Sequence, residues 1–456
     1  MHGEGPACRV RVRGAAALLL GVLLLLPQAP PAAGNSRRVL IAPYATAEVA
    51  PEEQWLGEAV AQILSLALAQ HPAFLEADRR RLAKVDVSPV RHETAILAAA
   101  RSLRADAAFS GEIRRVSADR IVIRPRYLEV RNGDGKWQTM AAASVPEGKL
   151  LDQLALLALA YFRAFGVSLS DAEAGRIQKA ARPTSSLQAF EAFVRGRTAA
   201  MEGTPEGNST AADLLARAAE LDPYFVVAQY SLGVVNQELG NRWKAAAHYR
   251  ASIQLDPSYP EPFKALGDLF LSAPRRLFDQ AVEAYEKALE LRPFYADAYV
   301  GLGDAKAAKG AVDEAVAAYQ RALEYDPTNP RVYLSLGKLY YLEKGLYYEA
   351  VKAYEQAIEL DPEFVDARMG LGELYEDKGL YEGALAEYGK VIELEPRHTG
   401  ALYNRALVYE KVDPRTAIAH WEHYIAVASH LPSEKDWVDV ARRHLKKLKT
   451  QLQKNR

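Results

Sequence analysis

Small and apolar residues in the second half of the chain recur with a helical spacing inside a longer period of about 34 residues. Ala245, Tyr249 and Ile253 stand at i, i+4 and i+8, which places them on one face of a helix. Proline lacks an N–H and clashes with the turn behind it, so a regularly spaced proline marks repeated helix ends. Such prolines are Pro223, Pro257, Pro293, Pro327, Pro362 and Pro396, separated by 34, 36, 34, 35 and 34 residues. The pattern predicts a series of two-helix hairpins.

Other residues repeat in register with these prolines. Glycines recur ten residues after each of the first five prolines, at Gly233, Gly267, Gly303, Gly337 and Gly372, and Ala406 takes the sixth place. Pairs of alanine and tyrosine four residues apart follow them, namely Ala245/Tyr249, Ala281/Tyr285, Ala315/Tyr319, Ala350/Tyr354 and Ala384/Tyr388. Closely packed helices need small residues where their backbones approach, and the tyrosine fills the remaining gap. An aspartate before four of the prolines favours a turn there: Asp222, Asp256, Asp326 and Asp361.

These residues resemble the signature of the tetratricopeptide repeat family, a Leu-Gly pair in the first helix, an Ala and an aromatic residue in the second, and a closing Pro. The resemblance implies six repeats over residues 226–431, after a degenerate first repeat at 183–225 and before a basic capping helix at 432–456. One hairpin cannot bury its own apolar face, so such repeats stack into a solenoid. The resemblance also implies an inner groove that holds another polypeptide.

The repeat register places nine residues in this groove. They are Tyr230, Lys264, Asp268, Asp304, Arg331, Lys338, Asp366, Glu373 and Tyr403. The family's capture of a peptide carboxylate by Lys, Asn and Arg is not expected, because this set is mixed and acidic. Residues 183–441 carry 26 basic and 40 acidic side chains, a net charge of −14. We therefore expect a basic or neutral protein or peptide segment as the partner, and no nucleic acid, which this charge would repel.

The first half of the chain mixes short apolar runs with helical patterns. The runs predict strands at 38–43, 74–76, 107–116, 120–130 and 136–145, and the patterns predict helices at 52–69, 92–103 and 150–165. Pro125, inside the fourth strand, indicates a bulge or an edge position because it cannot donate to a sheet.

This order of elements resembles the amino-terminal domain of the TolB family. The resemblance is carried by the opening strand from Val39 to Tyr44 and by Ser110-Gly-Glu112 at the start of a later hairpin. It implies a small α/β sandwich over residues 35–182. The predicted fold class is thus α+β, an α/β sandwich followed by an all-α solenoid.

The pattern of residues 1–34 predicts a secretory signal. Three arginines precede an apolar run at 15–26, and small residues follow it. As a helix this run spans about 18 Å, too short for a hydrocarbon core of about 30 Å. Cleavage before Asn35 would remove Cys8, the one cysteine of the chain, which suits an oxidising compartment. We expect a periplasmic or secreted protein; an uncleaved anchor is the alternative.

No catalytic, phosphate-binding or metal motif is found in the sequence. One cysteine excludes a disulfide framework and a four-cysteine zinc site. His420 and His423 lie one helical turn apart, but a third ligand is not evident, so they are interpreted as surface histidines. The Gly301-x-Gly303 and Gly370-x-Gly372 pairs are interpreted as packing positions rather than as a dinucleotide loop. We therefore predict a protein that is not an enzyme and has no cofactor or metal.

The leading hypothesis is a scaffold whose repeats hold one protein while the α/β domain contacts a second. The alternative is a structural component of an envelope or export assembly. From Arg442 onward the chain has seven basic and no acidic side chains. This basic tail is interpreted first as the solvated face of a cap, and otherwise as a peripheral contact with an anionic membrane surface or as a partner contact. The third alternative is an enzyme whose active site lies in residues 35–182, but no nucleophile–base pair is recognised there. The sequence leaves the partner, the pathway and the oligomeric state open.

Overall fold

The computed structural model describes residues 36–46, 49–77, 93–131, 134–275 and 277–454. The predicted signal at 1–34, its cleavage site and Cys8 lie outside the described residues. The structure describes a mixed sheet with helices in the first part of the chain and a solenoid of helical hairpins in the rest.

The sheet has the order β3-β1-β4-β5-β6, with β2 beside β4 and β7 beside β5. Its strands are β1 Arg37–Ile41, β2 Ala45–Thr46, β3 Phe74–Glu76, β4 Ala107–Ser117, β5 Arg120–Arg131, β6 Asp134–Thr139 and β7 Ala143–Pro146. The helices of this region are α1 Trp55–Leu68, α2 Glu93–Ser102, α3 Leu150–Ala164 and α4 Asp171–Ala180. Alternate residues of β1 face opposite sides, so Val39 and Ile41 pack with α1 and α3 while Leu40 packs with α2. The sheet is therefore covered by helices on both faces.

The structure corrects two expectations about the hairpin strands. Residues 136–145 do not form one strand, because β6 ends at Thr139 and β7 begins at Ala143. Pro125 lies neither at the bulge, which falls between Arg115 and Ser117, nor on an edge strand. Its carbonyl accepts a hydrogen bond from the Met140 N–H, so its ring nitrogen faces the break between β6 and β7. No ladder hydrogen bond is needed at that break, which explains how a central strand tolerates proline.

The apolar core of the sheet region continues into the first helical hairpin, α5 Leu187–Ala200 and α6 Pro205–Leu221. Trp55 of α1 packs edge-on against Phe190 of α5, with ring centroids 6.3 Å apart. Phe162, Phe193 and Leu215 belong to the same buried cluster. The apolar core is thus continuous across the predicted boundary between residues 182 and 183.

Six further hairpins follow, and a last helix closes the stack. They are α7 Val226–Glu238 with α8 Arg242–Leu255, α9 Glu261–Leu271 with α10 Phe278–Leu291, α11 Ala296–Ala308 with α12 Val312–Tyr325, α13 Pro330–Lys338 with α14 Tyr347–Leu360, α15 Val365–Asp377 with α16 Tyr381–Leu394, α17 Thr399–Val412 with α18 Pro414–Ala428, and finally α19 Lys435–Lys454. We number these hairpins as repeats one to six. The prolines stand just after the second helices, as the spacing predicts.

The aspartate before the proline caps the turn between repeats. In each case Oδ1 accepts a hydrogen bond from the backbone N–H two residues further on, at 3.0 to 3.2 Å. Asp222, Asp256, Asp326 and Asp361 all make this contact. The predicted turn role of these aspartates is confirmed.

The 35-residue repeat accommodates its extra residue as a π-helical turn. Helix α13 ends at Lys338 and passes into the π-turn Leu339–Glu343. The Lys344 N–H donates to the Leu339 carbonyl at 3.1 Å, an i to i+5 hydrogen bond. One inserted residue therefore widens the end of the first helix of repeat four without breaking the stack.

Candidate functional site

The first helices of the hairpins line the inner surface of the solenoid. Helices α7, α9 and α11 contact one another in sequence, and α13, α15 and α17 do the same, more closely than the second helices contact one another. Because the first helices approach more closely, the stack curves with them on the inside. We call this inner surface the groove.

The floor of the groove is built on the repeated glycine and tyrosine. A Cβ on Gly303 would lie 2.6 Å from Cε1 of Tyr319, and one on Gly372 would lie 2.6 Å from Cε1 of Tyr388. Only glycine therefore admits the tyrosine ring between the two helices of a hairpin. The predicted packing role of these residues is confirmed. Because the ring passes between the two helices, its phenol group reaches the groove.

The buried tyrosines hold acidic side chains of the groove by hydrogen bonds. The hydroxyl of Tyr285 donates to Oδ1 of Asp268 at 2.8 Å, and that of Tyr319 donates to Oδ1 of Asp304 at 2.6 Å. In repeat five, Tyr388 donates to Oε2 of Glu376 at 2.9 Å, and Tyr249 of repeat one reaches Gln237 at 3.0 Å. A hydroxyl inside each of these hairpins thus fixes the direction of a polar side chain in the groove.

The groove contains one ion pair within repeat two and another between repeats three and four. Lys264 Nζ lies 2.8 Å from Oδ2 of Asp268, both on α9. Arg331 Nη2 lies 3.7 Å from Oδ2 of Asp304, and 71 % of the Arg331 side chain is exposed. Both carboxylate oxygens of Asp268 are therefore occupied, one by Tyr285 and the other by Lys264. Asp304 has only the solvated guanidinium of Arg331 beside it, which is a weak ion pair.

The other predicted groove residues divide into exposed and packed ones. Lys338, Asp366 and Glu373 are exposed. Tyr230 is half-buried between Tyr249 and Tyr259, with centroid distances of 5.8 and 5.6 Å. Tyr403 is half-buried at the end of the stack. These two tyrosine rings are therefore packed into the groove surface and are less available for contact with a partner.

Three groove carboxylates have a pKa above the ordinary value. Burial raises the pKa of Asp304. Glu373 is exposed, but partial desolvation of its carboxyl group in the groove and then the neighbouring Glu376 raise its pKa, although Lys338 lowers it. Burial also raises the pKa of Glu376 itself, which faces Lys411 and accepts the Tyr388 hydroxyl. The negative charge of the groove is therefore lost earlier on acidification than that of free carboxylates.

Glu376 was not among the residues placed in the groove from sequence. It follows Glu373 by one helical turn and points to the same surface, where Tyr388 holds it. The signal was available in the repeat register, since i+3 residues share a helix face. The groove residues predicted from the sequence on that face were Asp366 and Glu373.

The groove is not covered by the sheet region, which contacts the array along its inter-repeat turns. Lys179 Nζ lies 2.7 Å from Oδ2 of Asp256, and Arg104 donates to the Glu359 carbonyl at 2.6 Å. A hydrogen bond from Arg38 to Thr328 completes this row. A cavity of about 220 Å³ lies between β3 and the turn at Arg292 to Asp297. The exposed groove residues of repeats four and five remain open to a partner.

The last helix, α19, packs as a cap on α18. Val438, Ala441 and Leu448 are buried, whereas Trp437 is 55 % exposed and meets Tyr403 edge-on at 5.4 Å. Trp437 therefore lies at the end of the groove, outside the buried stripe of this helix.

The histidine pair of α18 is not part of a metal cluster. No group of three or more His, Cys, Asp or Glu that could hold a metal occurs among the described residues. His420 instead stacks on Tyr409, with ring centroids 4.2 Å apart. Burial, and then the charges of Arg405 and His423, lower its pKa to about 4.

We expect this histidine to make the fold acid-sensitive. A folded-state pKa of about 4 against an unfolded value near 6.5 means that the unfolded chain takes up the proton first. Stability is thus lost as the pH falls from about 6.5 to about 4. The Tm of His420→Gln should fall less than that of the wild type between pH 7.5 and pH 5. Exposed His430→Gln is the control, and an unchanged pH profile of Tm in His420→Gln would contradict the assignment.

Within the part of the chain that the structure describes, no helix has the length and apolarity to cross a bilayer. A comparison with curated proteins finds no match.

Family models match part of the repeat array, and the chain is similar to several solved structures. A model described as TPR repeat matches residues 278–310, 303–343 and 341–379, and one described as tetratricopeptide repeat matches 365–398. The chain is 29 % identical to MamA, with 36 % of this chain and 95 % of that chain covered and a TM-score of 0.33. It is 24 % identical to YrrB, a TPR protein with an unusual peptide-binding site, over 44 % of this chain and 99 % of that chain, with a TM-score of 0.37. Residues 278–398 of this chain are tetratricopeptide repeats.

Proposed function

We propose that the protein is a non-enzymatic scaffold that binds an extended, basic segment of a partner protein in the groove. The observation that carries the proposal is the open inner surface of repeats three to five, where Asp304, Glu373 and Glu376 present carboxylates held or flanked by buried phenols. A protein surface of this charge attracts cationic side chains and repels nucleic acid. Tetratricopeptide repeats mediate contacts between proteins, in keeping with this role.

The test is charge reversal in the groove. A partner is first captured by crosslinking and co-purification from the native host, and its affinity is then measured for a variant that carries Asp268→Lys, Asp304→Lys and Glu373→Lys. We expect affinity to fall at least about tenfold, because attraction becomes repulsion at Asp304 and Glu373, and Asp268→Lys adds a positive charge beside Lys264. The control reverses three exposed acids of second helices, Glu283→Lys, Glu355→Lys and Glu382→Lys. Equal affinity of the groove variant and the control would reject the proposal.

A second candidate is a structural role at a membrane surface. On α19, Arg443, Lys446, Lys447 and Lys454 are exposed, and no ion pair to them is formed within the described residues. An anionic lipid surface attracts such a basic helix. Fractionation distinguishes the candidates: release from membranes by salt favours this role, and a fully soluble fraction at low salt rejects it.

We also propose a periplasmic or secreted location and a relation of residues 35–182 to the TolB amino-terminal domain. The basic and apolar pattern of residues 1–34 supports the location. The order of strands and helices around the mixed sheet supports the relation. Sequencing the amino terminus of the mature protein tests the first proposal, since a terminus at Asn35 is expected and an intact Met1 would contradict cleavage.

A further inference from the structure

The residue that follows the repeated glycine lies at the centre of the groove in every repeat. We call it the central groove position. From repeat one to repeat six it is Val234, Asp268, Asp304, Lys338, Glu373 and Leu407. The two ends are apolar, and Asp268 is already paired with Lys264 at 2.8 Å. The charges left for a partner therefore lie in repeats three, four and five, in the order negative, positive, negative.

We propose that this order selects an extended segment with a basic, an acidic and a basic residue facing the groove in turn. The inference rests on the proposed function and names the partner chemistry of the same groove. Asp304 and Glu373 receive the two basic side chains, and Lys338 receives the acidic one.

The negative sites are prepared for cations. Tyr319 occupies Oδ1 of Asp304, which leaves Oδ2 directed to the weakly bound Arg331 at 3.7 Å. In repeat five, Glu376 is held by Tyr388 and adds a second carboxylate beside Glu373. A cation that enters either site meets a carboxylate whose direction is already fixed, so little side-chain entropy is lost on binding.

The positive site is equally open. Lys338 is exposed, and within the described chain no carboxylate lies at ion-pair distance from it. Arg331 belongs to the same repeat and adds to the positive charge there. The π-turn begins directly after Lys338, and π-turns inside helices are frequent at functional sites. The irregular turn thus directly follows Lys338, the one basic residue among the six central groove positions.

The spacing of the repeats sets the spacing of the partner. Packed helices lie about 8–10 Å apart, and an extended segment in the polyproline II conformation advances about 3.1 Å per residue with three residues per turn, which puts its i, i+3 and i+6 side chains on one face. One repeat therefore corresponds to about three residues, and the matching motif is Lys-x-x-Glu-x-x-Lys. Because its charge order reads the same in both directions, the motif fits whichever way the segment runs.

The experiment compares three labelled peptides with blocked termini by fluorescence anisotropy on the full-length protein. They carry Lys-x-x-Glu-x-x-Lys, the isomer Glu-x-x-Lys-x-x-Lys, and Lys-x-x-Lys-x-x-Lys, with serine and threonine at x. We expect the wild type to prefer the first peptide over its isomer about fivefold to tenfold, since two of three contacts change sign. Lys338→Glu should lose this preference and bind the all-lysine peptide best.

The control is Lys352→Glu, which makes the same change of charge at an exposed site on α14. It should keep the wild-type order of affinities. Equal binding of the two isomers by the wild type, or the same order of affinities in Lys338→Glu and Lys352→Glu, would overturn the charge order alone and leave a basic-segment groove intact. Absence of binding of all three peptides would overturn both the charge order and the proposed function.

Discussion

Arg292→Met is expected to lower the free energy of unfolding by about 3–5 kcal/mol, the usual cost of breaking a buried ion pair from one side. The Arg292 side chain is 7 % exposed, and its Nη2 lies 2.7 Å from Oε1 of Glu261, which is 14 % exposed. Its guanidinium also lies 4.9 Å from the ring centre of Tyr295. The pair joins the end of α10 to the start of α9, so its loss leaves a buried carboxylate without a counter-charge. Chemical denaturation followed by circular dichroism measures the change.

The double variant Arg292→Met with Glu261→Met is the control for this pair. It removes both charges, and we expect it to recover most of the lost stability. Oε2 of Glu261 is buried and accepts no hydrogen bond from the residues that the structure describes, so few polar contacts are lost with it. A single variant as stable as the wild type would show that the pair does not hold the second repeat together.

Gly303→Ala is expected to lower the free energy of unfolding by up to about 2 kcal/mol, the overpacking cost of about 1–3 kcal/mol less the helix gain of alanine. The new methyl group would lie 2.6 and 2.7 Å from two ring carbons of Tyr319, a ring that is itself buried. This clash outweighs the gain of about 1 kcal/mol that alanine brings to a helix. Circular dichroism during denaturation measures the loss.

Gly389→Ala is the matched control for the glycine. Gly389 also lies within a helix, α16, but its Cβ would meet no atom within 4 Å. We expect a gain of up to about 1 kcal/mol there. If both variants shifted stability in the same direction, the contact of glycine with tyrosine would not explain the repeated glycine.

The repeat architecture could be predicted because one packing solution recurs. The close approach of Tyr319 requires a glycine at 303, and the turn before Pro327 favours an aspartate at 326. Both residue types therefore follow from local geometry. The same register was used to predict the inner surface, and Lys338 and Glu373 of that set are exposed on first helices. Whether they bind a partner stays a prediction.

Features that depend on distant contacts could not be predicted in this way. The contact of Lys179 with Asp256 joins segments that share no period or motif. The 35-residue spacing showed an insertion, but only the structure shows that it becomes a π-turn at Leu339–Glu343. The break between β6 and β7 opposite Pro125 is likewise set by the neighbouring strands, since the local alternation continues through it.

Site-specific photo-crosslinking tests most directly whether the inner surface is where a partner binds. A photo-reactive phenylalanine replaces half-buried Tyr341, beside Glu373 in the groove, or Trp243, which is 89 % exposed on the second helix α8. Each protein is irradiated with the labelled Lys-x-x-Glu-x-x-Lys peptide. The predicted result is a crosslinked product from position 341 and none above background from position 243. Equal labelling at both positions, or labelling at position 243 alone, would contradict binding in the groove.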